Sequence, residues 1–449
     1  MKKEYEKFIE SKRHMCEEND AFEPADYSKY DVKKGLRDVQ GNGVIVGLTE
    51  VSQVDGTIVV DGVKTECEGI LRYRGYSIEE LTQGFLNKRF GFEEISYLIM
   101  FGKLPNKKEL EEYMGILNQN RKLPKTFTRD VIMKAANKDV MNAISREVLF
   151  LASYDDDALD NSIDNVLRQC LYLITVFPML TVYSYHAYNH YINGQSMYIH
   201  NPDPHLSTAE NFLRMLRPDK KYTELEATVL DLALVLHMEH GGGNNSTFTT
   251  RVTTSTGSDT YSVIAAAMSS LKGPKHGGAN LKVMDMMTDI KKHVKDPDDI
   301  DALTDYLNKI LDKKAFDGSG LIYGMGHAIY TKSDPRASVF KSFVAELAKD
   351  KGCEKDLKYY TNIERIAPAL IMAHKHNNKS VCANVDFYSG FVYEMLDIPK
   401  EVYTPLFATA RIVGWSAHRV EELISSNKIV RPAYVNVHEP LDYVPLEKR

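Results

Sequence analysis

Two apolar segments that each run into histidine and then glycine constrain this chain more than any other feature. Residues 230–236 are almost wholly apolar and lead to His237, Met238, Glu239 and His240, where Gly241, Gly242 and Gly243 follow. A Thr/Ser-rich stretch separates this from an Ala-rich apolar segment over 261–271, which Gly273-Pro274 ends before His276, Gly277 and Gly278. Glycine stops a helix and lets backbone or ligand come close to an imidazole. A chain needing only a core has little use for polar rings at the ends of its most apolar helices. A structural reading stands beside this one, since a histidine at a helix C-terminus also suits the macrodipole.

At 449 residues the chain can bury a large core and is long enough for two domains, or one large domain and a lobe. A formal net charge of −6 gives no reason to expect a nucleic-acid partner. The five cysteines (Cys16, Cys67, Cys170, Cys353, Cys382) are scattered with no Cys-x-x-Cys pair, and read as reduced, mostly buried thiols of a cytoplasmic protein. The N-terminus, MKKEYEKFIESKRHM, has the pattern of an exposed amphipathic helix and not of an export signal. The apolar run 170–185 is too short for a bilayer and carries Pro178, so a core helix is expected and no membrane span.

Residues 57–60 and 63–67 flank Asp61-Gly62 with β-branched residues, which is a hairpin signature. Helical periodicity dominates from Ser77 onward, and prolines cut it into segments of helical length. The expected fold class is all-α, helix packed on helix, with one small N-terminal β-hairpin. No glycine-rich loop follows a strand, which excludes Rossmann and P-loop readings. The segment 279–390 is more charged on its helices and reads as a small domain between two parts of a large one, 1–278 and 391–449. The returning part carries a long helix near 401–426 with Trp415, the only tryptophan.

Three further stretches carry chemistry. Gly324-Met325-Gly326-His327 places another histidine behind glycines, with Arg336 nine residues on. Asp386 lies among apolar neighbours at a helix start, where a carboxylate also reads as a cap. Arg411 sits among Ala408, Val413, Gly414 and Ala417, and Arg431 follows in KIVRP. His237, His240 and His276 could be ligands in a metal-dependent hydrolase, but the His-Glu-x-x-His pattern is absent. Taken together, glycine-flanked histidines, one apolar-set aspartate and several arginines suit a polyanionic small substrate and proton chemistry at carbon.

The segments EGILRYRGYSIEEL, HMEHGGGNNS, GPKHGGAN, GMGHAIYTKSDPRA, NVDFYSG and ARIVGWSAH resemble, in order, the signature segments of the citrate synthase family, over residues 41–432. The resemblance implies an all-α homodimer whose two domains close on substrate. It implies Asp386 as the base that deprotonates acetyl-CoA, His276 as the group stabilising the enol(ate), and His327 as the group polarising the ketone of oxaloacetate. His240, Asn244, Arg336 and Arg411 match positions that hold oxaloacetate, and Arg431 matches one that reaches in from the partner subunit. Tyr323, Gly324, Met325 and Gly326 match backbone lining the CoA adenine pocket. No metal and no cofactor beyond the CoA substrate are implied. 2-Methylcitrate synthase, which takes propionyl-CoA with the same catalytic set, is the alternative.

Overall fold

Several helices near the site begin where a side chain accepts one of their first free N–H groups. Thr223 and Glu226 form a reciprocal capping box at the start of Glu224–His237, with Glu226 N donating to Thr223 Oγ1 (3.2 Å) and Thr223 N to Glu226 Oε2 (2.8 Å). Asp259 caps Thr260–Leu271. Asp334 caps Pro335–Asp350, where Pro335 supplies a preset φ and no N–H to satisfy. Asn384 caps Val385–Met395 by accepting from Asp386 N (3.0 Å), so the cap is Asn384 and Asp386 stands one residue inside the helix, freed from the capping role.

The computed structural model describes residues 2–38, 41–85, 88–376 and 379–449; Met1 of the expected N-terminal helix lies outside them. Two compact units are present. Met1–Leu48 with Arg431–Arg449 forms one, containing the helices Lys2–Asn19 and Pro24–Lys29. Tyr5, Phe8, Ile9 and Met15 of the first helix are exposed, as the amphipathic pattern leads one to expect. Thr49–Val430 forms the other and holds the hydrophobic core.

The single sheet among the described residues is larger than the hairpin expectation. Strand β1 (Ser52–Val60) pairs antiparallel with β2 (Val63–Tyr73) through Val60↔Val63 around the Asp61-Gly62 turn, both of whose residues have positive φ. Strand β3 (Tyr76–Ser77) adds a third member against β2. A register shift between Asp55 and Thr57, with Gly56 and Gly69 inside the strands, breaks the alternation that marks strands in sequence.

The apolar run around Pro178 belongs to a 29-residue helix, Ile163–Tyr191, longer than the run itself suggests. It is long and apolar enough to cross a membrane, but 78% of its most apolar window is buried inside the protein, which places it in the core. The cysteines are all unpaired, and only Cys170 and Cys382 are buried, fewer than expected.

Helix Tyr403–Ser425 buries Arg411, Trp415, His418 and Arg419 completely. It approaches the end of Glu224–His237 through Gly414. A Cβ built there would stand 2.2 Å from Glu239 Oε2 and 2.6 Å from the Met238 carbonyl oxygen. Gly414→Ala should therefore cost about 1–3 kcal/mol of stability through overpacking. A shift of the urea midpoint measures this, and an unchanged midpoint would contradict the close approach.

Candidate active site

The loop bearing His327 and the helix bearing Asp386 are joined by a short backbone ladder. Gly326 N donates to Cys382 O (2.7 Å), Asn384 N to Gly324 O (2.9 Å), and Asn384 Nδ2 to Gly326 O (2.8 Å). Met325 and Ala383 form a β-bridge between them. Gly324 has φ +80°, and a Cβ there would lie 2.9 Å from Phe387 Cα, so only glycine lets the loop sit on this helix. Tyr323 is partly buried against the core, its hydroxyl donating to Asp317 (2.7 Å).

Asp334 links the next elements. It accepts from Val385 N (3.1 Å), and it pairs in bidentate fashion with Arg336 through Nε (3.0 Å) and Nη2 (2.7 Å). Burial opposes the charge on Arg336, and Asp334 outweighs it, so the guanidinium is held above its ordinary pKa. Asp386 has no such direct partner: its carboxylate accepts no hydrogen bond among the described residues. Burial raises its pKa from 3.8 to about 6, against the pull of Arg336 and Arg411.

His240 and His327 lie edge to face with ring centroids 5.1 Å apart. The backbone N–H groups of Ile329 and Tyr330 both donate to His327 Nδ1 at 3.1 Å, so the ring carries its proton on Nε2. His240 Nε2 lies 3.2 Å from the Tyr330 hydroxyl. Burial, reinforced by Arg336, His327 and Arg411, keeps the His240 ring neutral. Arg411, fully buried, donates through Nε to the His237 carbonyl (2.8 Å), while Nη1 and Nη2 have no hydrogen-bond partner among the described residues. Burial lowers its pKa to about 10, and Glu239 is the strongest charge working the other way. Glu239 in turn accepts from Ser52 Oγ (2.9 Å), Gly241 N (2.6 Å) and His418 Nε2 (3.0 Å).

His276 occupies the turn between Thr260–Leu271 and Ala279–His293. Its Nε2 lies 3.1 Å from Ser246 Oγ, which also receives Trp415 Nε1–H (3.1 Å) and donates to Asn244 Oδ1 (3.0 Å). Burial, then Arg411, lowers its pKa to about 4, so it is neutral near pH 7.

The structure thus gathers His240, His327, Arg336, Asp386 and Arg411, each within electrostatic reach of others in the group, and links Asn244 to His276 through Ser246. His237 goes elsewhere: its Nδ1 donates to Ala233 O (2.9 Å), and its ring packs on Phe407. Among the described residues no group of three or more His, Cys, Asp or Glu could hold a metal ion, which leaves the His237–His240–His276 ligand set without support. Arg431 is exposed in the other compact unit. Sequence reasoning missed Glu239, Ser246, Tyr330, Asp334 and His418. The Asp-Pro-Arg run advertised a capped helix start and so could have flagged Asp334; nothing in one sequence marks the other four.

The family model for the citrate synthase C-terminal domain matches residues 38–433. The chain is 36% identical over 412 residues to the citrate synthase of Synechocystis sp., covering 91% of this chain and 92% of that one. It is 32% identical over 381 residues to the 2-methylcitrate synthase of Shewanella oneidensis, covering 84% and 92%. Among solved structures, it resembles citrate synthase from Pyrobaculum aerophilum with a TM-score of 0.74 at 31% identity, over 91% of this chain and 95% of the other. It also resembles the ternary complex of carboxymethyl coenzyme A and oxaloacetate with citrate synthase from Thermoplasma acidophilum, with a TM-score of 0.75 at 28% identity over 93% and 99%. The neutral His240 and His276, an elevated carboxylate and buried arginines, set in this all-α fold, therefore belong to a member of the citrate synthase family, an enzyme that condenses a CoA thioester with a dicarboxylate.

Proposed function

We propose that the chain condenses acetyl-CoA with oxaloacetate and hydrolyses the resulting citryl-CoA to citrate and free CoA. The observation that carries this reading is Arg411: a buried cation whose two terminal nitrogens lack hydrogen-bond partners among the described residues is completed by a carboxylate from outside the protein. Arg336, already braced by Asp334, adds a second positive charge for a dicarboxylate, and His240 and Asn244 hold the same substrate. His327 directs Nε2–H at the ketone oxygen and makes the ketone carbon electrophilic.

Asp386 takes a proton from the acetyl methyl, while neutral His276 stabilises the charge that appears on the thioester oxygen. The nucleophilic carbon then attacks the ketone carbon, the new alkoxide is neutralised by a proton, and water cleaves the thioester to release CoA. Tyr323, Gly324, Met325 and Gly326 serve the CoA adenine. The small domain over 279–390 closes against 1–278 and 391–449 when the dicarboxylate bridges them, which excludes water before acyl-CoA enters. The functional unit is a homodimer in which Arg431 acts in trans, and its five unpaired cysteines suit the cytoplasm.

A second reading, 2-methylcitrate synthesis from propionyl-CoA, is favoured by the similarity to a 2-methylcitrate synthase. One methylene in an apolar pocket discriminates by about 1–3 kcal/mol. Release of CoA thiol with oxaloacetate and each acyl-CoA in turn decides between them. Acetyl-CoA should give the higher kcat/KM; a higher value for propionyl-CoA would select the methylcitrate reading, and no release with either would end both.

Asp386→Asn should lower kcat at least about a thousandfold, as loss of a base together with its charge does, while oxaloacetate still binds. The wild type's kcat/KM should rise with pH through about 6 as Asp386 ionises. The same shift has a stability sign. A carboxyl whose pKa is higher in the fold binds its proton more tightly there, so the fold is favoured below pH 4 and loses up to about 3 kcal/mol as pH rises through 6. Asp386→Asn should therefore be more stable than wild type at pH 7.5, with the gap closing near pH 4. Equal urea midpoints at pH 7.5 would speak against the raised pKa.

The trans assignment is tested by mixing protomers. Asp386→Asn and Arg431→Ala, each inactive alone, should regain about a quarter of wild-type activity after joint refolding, because half the dimers then hold one intact composite site. No recovery would place Arg431 in cis or outside the site.

A further inference from the structure

Tyr330 takes part in no step above, yet it touches three of the residues assigned to the keto acid. It is 1% exposed. Its ring stacks on His327 at 4.6 Å and 23°, and the Arg336 guanidinium lies 6.0 Å from the ring centroid. Its hydroxyl is 3.2 Å from His240 Nε2 and 3.4 Å from the Ile70 carbonyl oxygen in β2. Its backbone N–H is one of the two that fix His327 Nδ1.

The sheet holds this residue in place. A Cβ at Gly69 would stand 2.8 Å from the Tyr330 ring and 2.2 Å from Ser333 O, and one at Gly56 would stand 2.3 Å from Ile329 O and 3.1 Å from Tyr330 Cα. Two glycines in neighbouring strands thus let the hairpin backbone close directly on residues 329–333. Gly69 N also donates to Ser333 Oγ (3.1 Å).

The hydroxyl has a single proton to place. Ile70 O can only accept, and at 3.4 Å it is the weaker contact; His240 Nε2 is nearer and can accept or donate. Were His240 the donor, its bare Nδ1 would present a lone pair to a substrate made of carboxylates. With the hydroxyl as donor, Nδ1 carries the proton and the ring becomes a hydrogen-bond donor.

We propose that Tyr330 is a positioning residue for the condensation: its hydroxyl donates to His240 Nε2 and so holds His240 as an Nδ1–H donor to an oxaloacetate carboxylate, while its ring and N–H hold His327 in register with its proton on Nε2. The inference rests on the roles given to His240 and His327 above. Burial supports it independently, because it keeps His240 neutral and so makes the choice of tautomer decisive.

Binding of oxaloacetate is read from the emission of Trp415, the only tryptophan, which is bonded to Ser246 beside His276. Tyr330→Phe keeps the ring and should weaken oxaloacetate binding about tenfold, the effect of one hydrogen bond in a desolvated site, with kcat within about twofold of wild type and KM for acetyl-CoA unchanged. Tyr330→Leu also removes the stacking and should lower kcat at least about tenfold further. In a His240→Ala background Tyr330→Phe should add less than about a twofold effect, since the hydroxyl acts through His240. Independent losses that multiply, or an unchanged affinity in Tyr330→Phe, would overturn the proposal. Nitrogen NMR of labelled histidine in the unmodified enzyme gives a test free of folding effects: His240 must carry its proton on Nδ1, and a proton on Nε2 defeats the assignment. A wild type that does not condense oxaloacetate would bring down the parent reading and this one together; an active wild type with a normal Tyr330→Phe variant brings down this one alone.

Discussion

The buried guanidinium of Arg411 is the charge around which the surrounding elements are fitted. A cation taken out of water costs several kcal/mol unless it is paired, and among the described residues Arg411 makes only one hydrogen bond, to the His237 carbonyl. Its chief resident counter-charge is Glu239, itself fully buried, so the cost is passed on. Glu239 accepts through Oε1 from Ser52 of β1, the N–H of Gly241 and His418, while its Oε2 accepts no hydrogen bond among the described residues, and His418 reaches the Arg251–Glu421 pair behind it. One charge requirement thereby ties the first strand, the 239–241 turn and helix Tyr403–Ser425 into a single arrangement. It also leaves the two terminal nitrogens of Arg411 unspent.

Burial alone does not set the chemistry of the site; the charges and hydrogen bonds around each group decide what burial does. Glu239 is a fully buried carboxylate and Asp386 a partly buried one, and desolvation works against the charge of both. Glu239 accepts three hydrogen bonds and stands beside His418, and its pKa is about 2. Asp386 accepts none among the described residues, and its pKa is about 6. The first is a permanent anion suited to structure. The second is ionised at neutral pH but basic enough to accept a proton from carbon. The same desolvation acts in the opposite sense on imidazoles and keeps His240 and His276 neutral, so that each can donate a hydrogen bond without adding net charge beside the arginines.

Much of this was legible in the sequence, for identifiable reasons. The helices were readable because apolar periodicity is cut by glycine and proline, as at Gly273-Pro274 just beyond Thr260–Leu271. Asp386 was visible as a carboxylate in an apolar setting, although its own sequence position equally suited a cap, and only the placement of Asn384 separates the two. His237 carried the same local signal as His240, yet helical geometry turns it into the aromatic contact with Phe407. That difference follows from the direction of a helix end and not from composition. The extent of the sheet was hidden because its strands contain glycines and a register shift, which erase alternation. Glu239, Ser246 and His418 were invisible because their partners lie far away along the chain: Glu239 and His418 are 179 residues apart.

The glycines explain why the site is more readable than its scaffold. At Gly56, Gly69, Gly324 and Gly414 a Cβ would meet atoms at under 3.0 Å, and at each of the four these include backbone atoms that cannot step aside as a side-chain tip could. Gly324 brings the His327 loop onto the Asp386 helix, Gly414 brings the Arg411 helix onto Glu239, and Gly56 with Gly69 bring the sheet onto the segment that follows His327. Each pair of elements is wide apart in sequence, and each meets where side chains have been removed and backbone packs against backbone. Positions of that kind tolerate no larger residue, so the chemistry-bearing residues beside them inherit fixed distances. Each of these four glycines therefore reports an approach of two distant segments, and only the fold reveals which segment arrives.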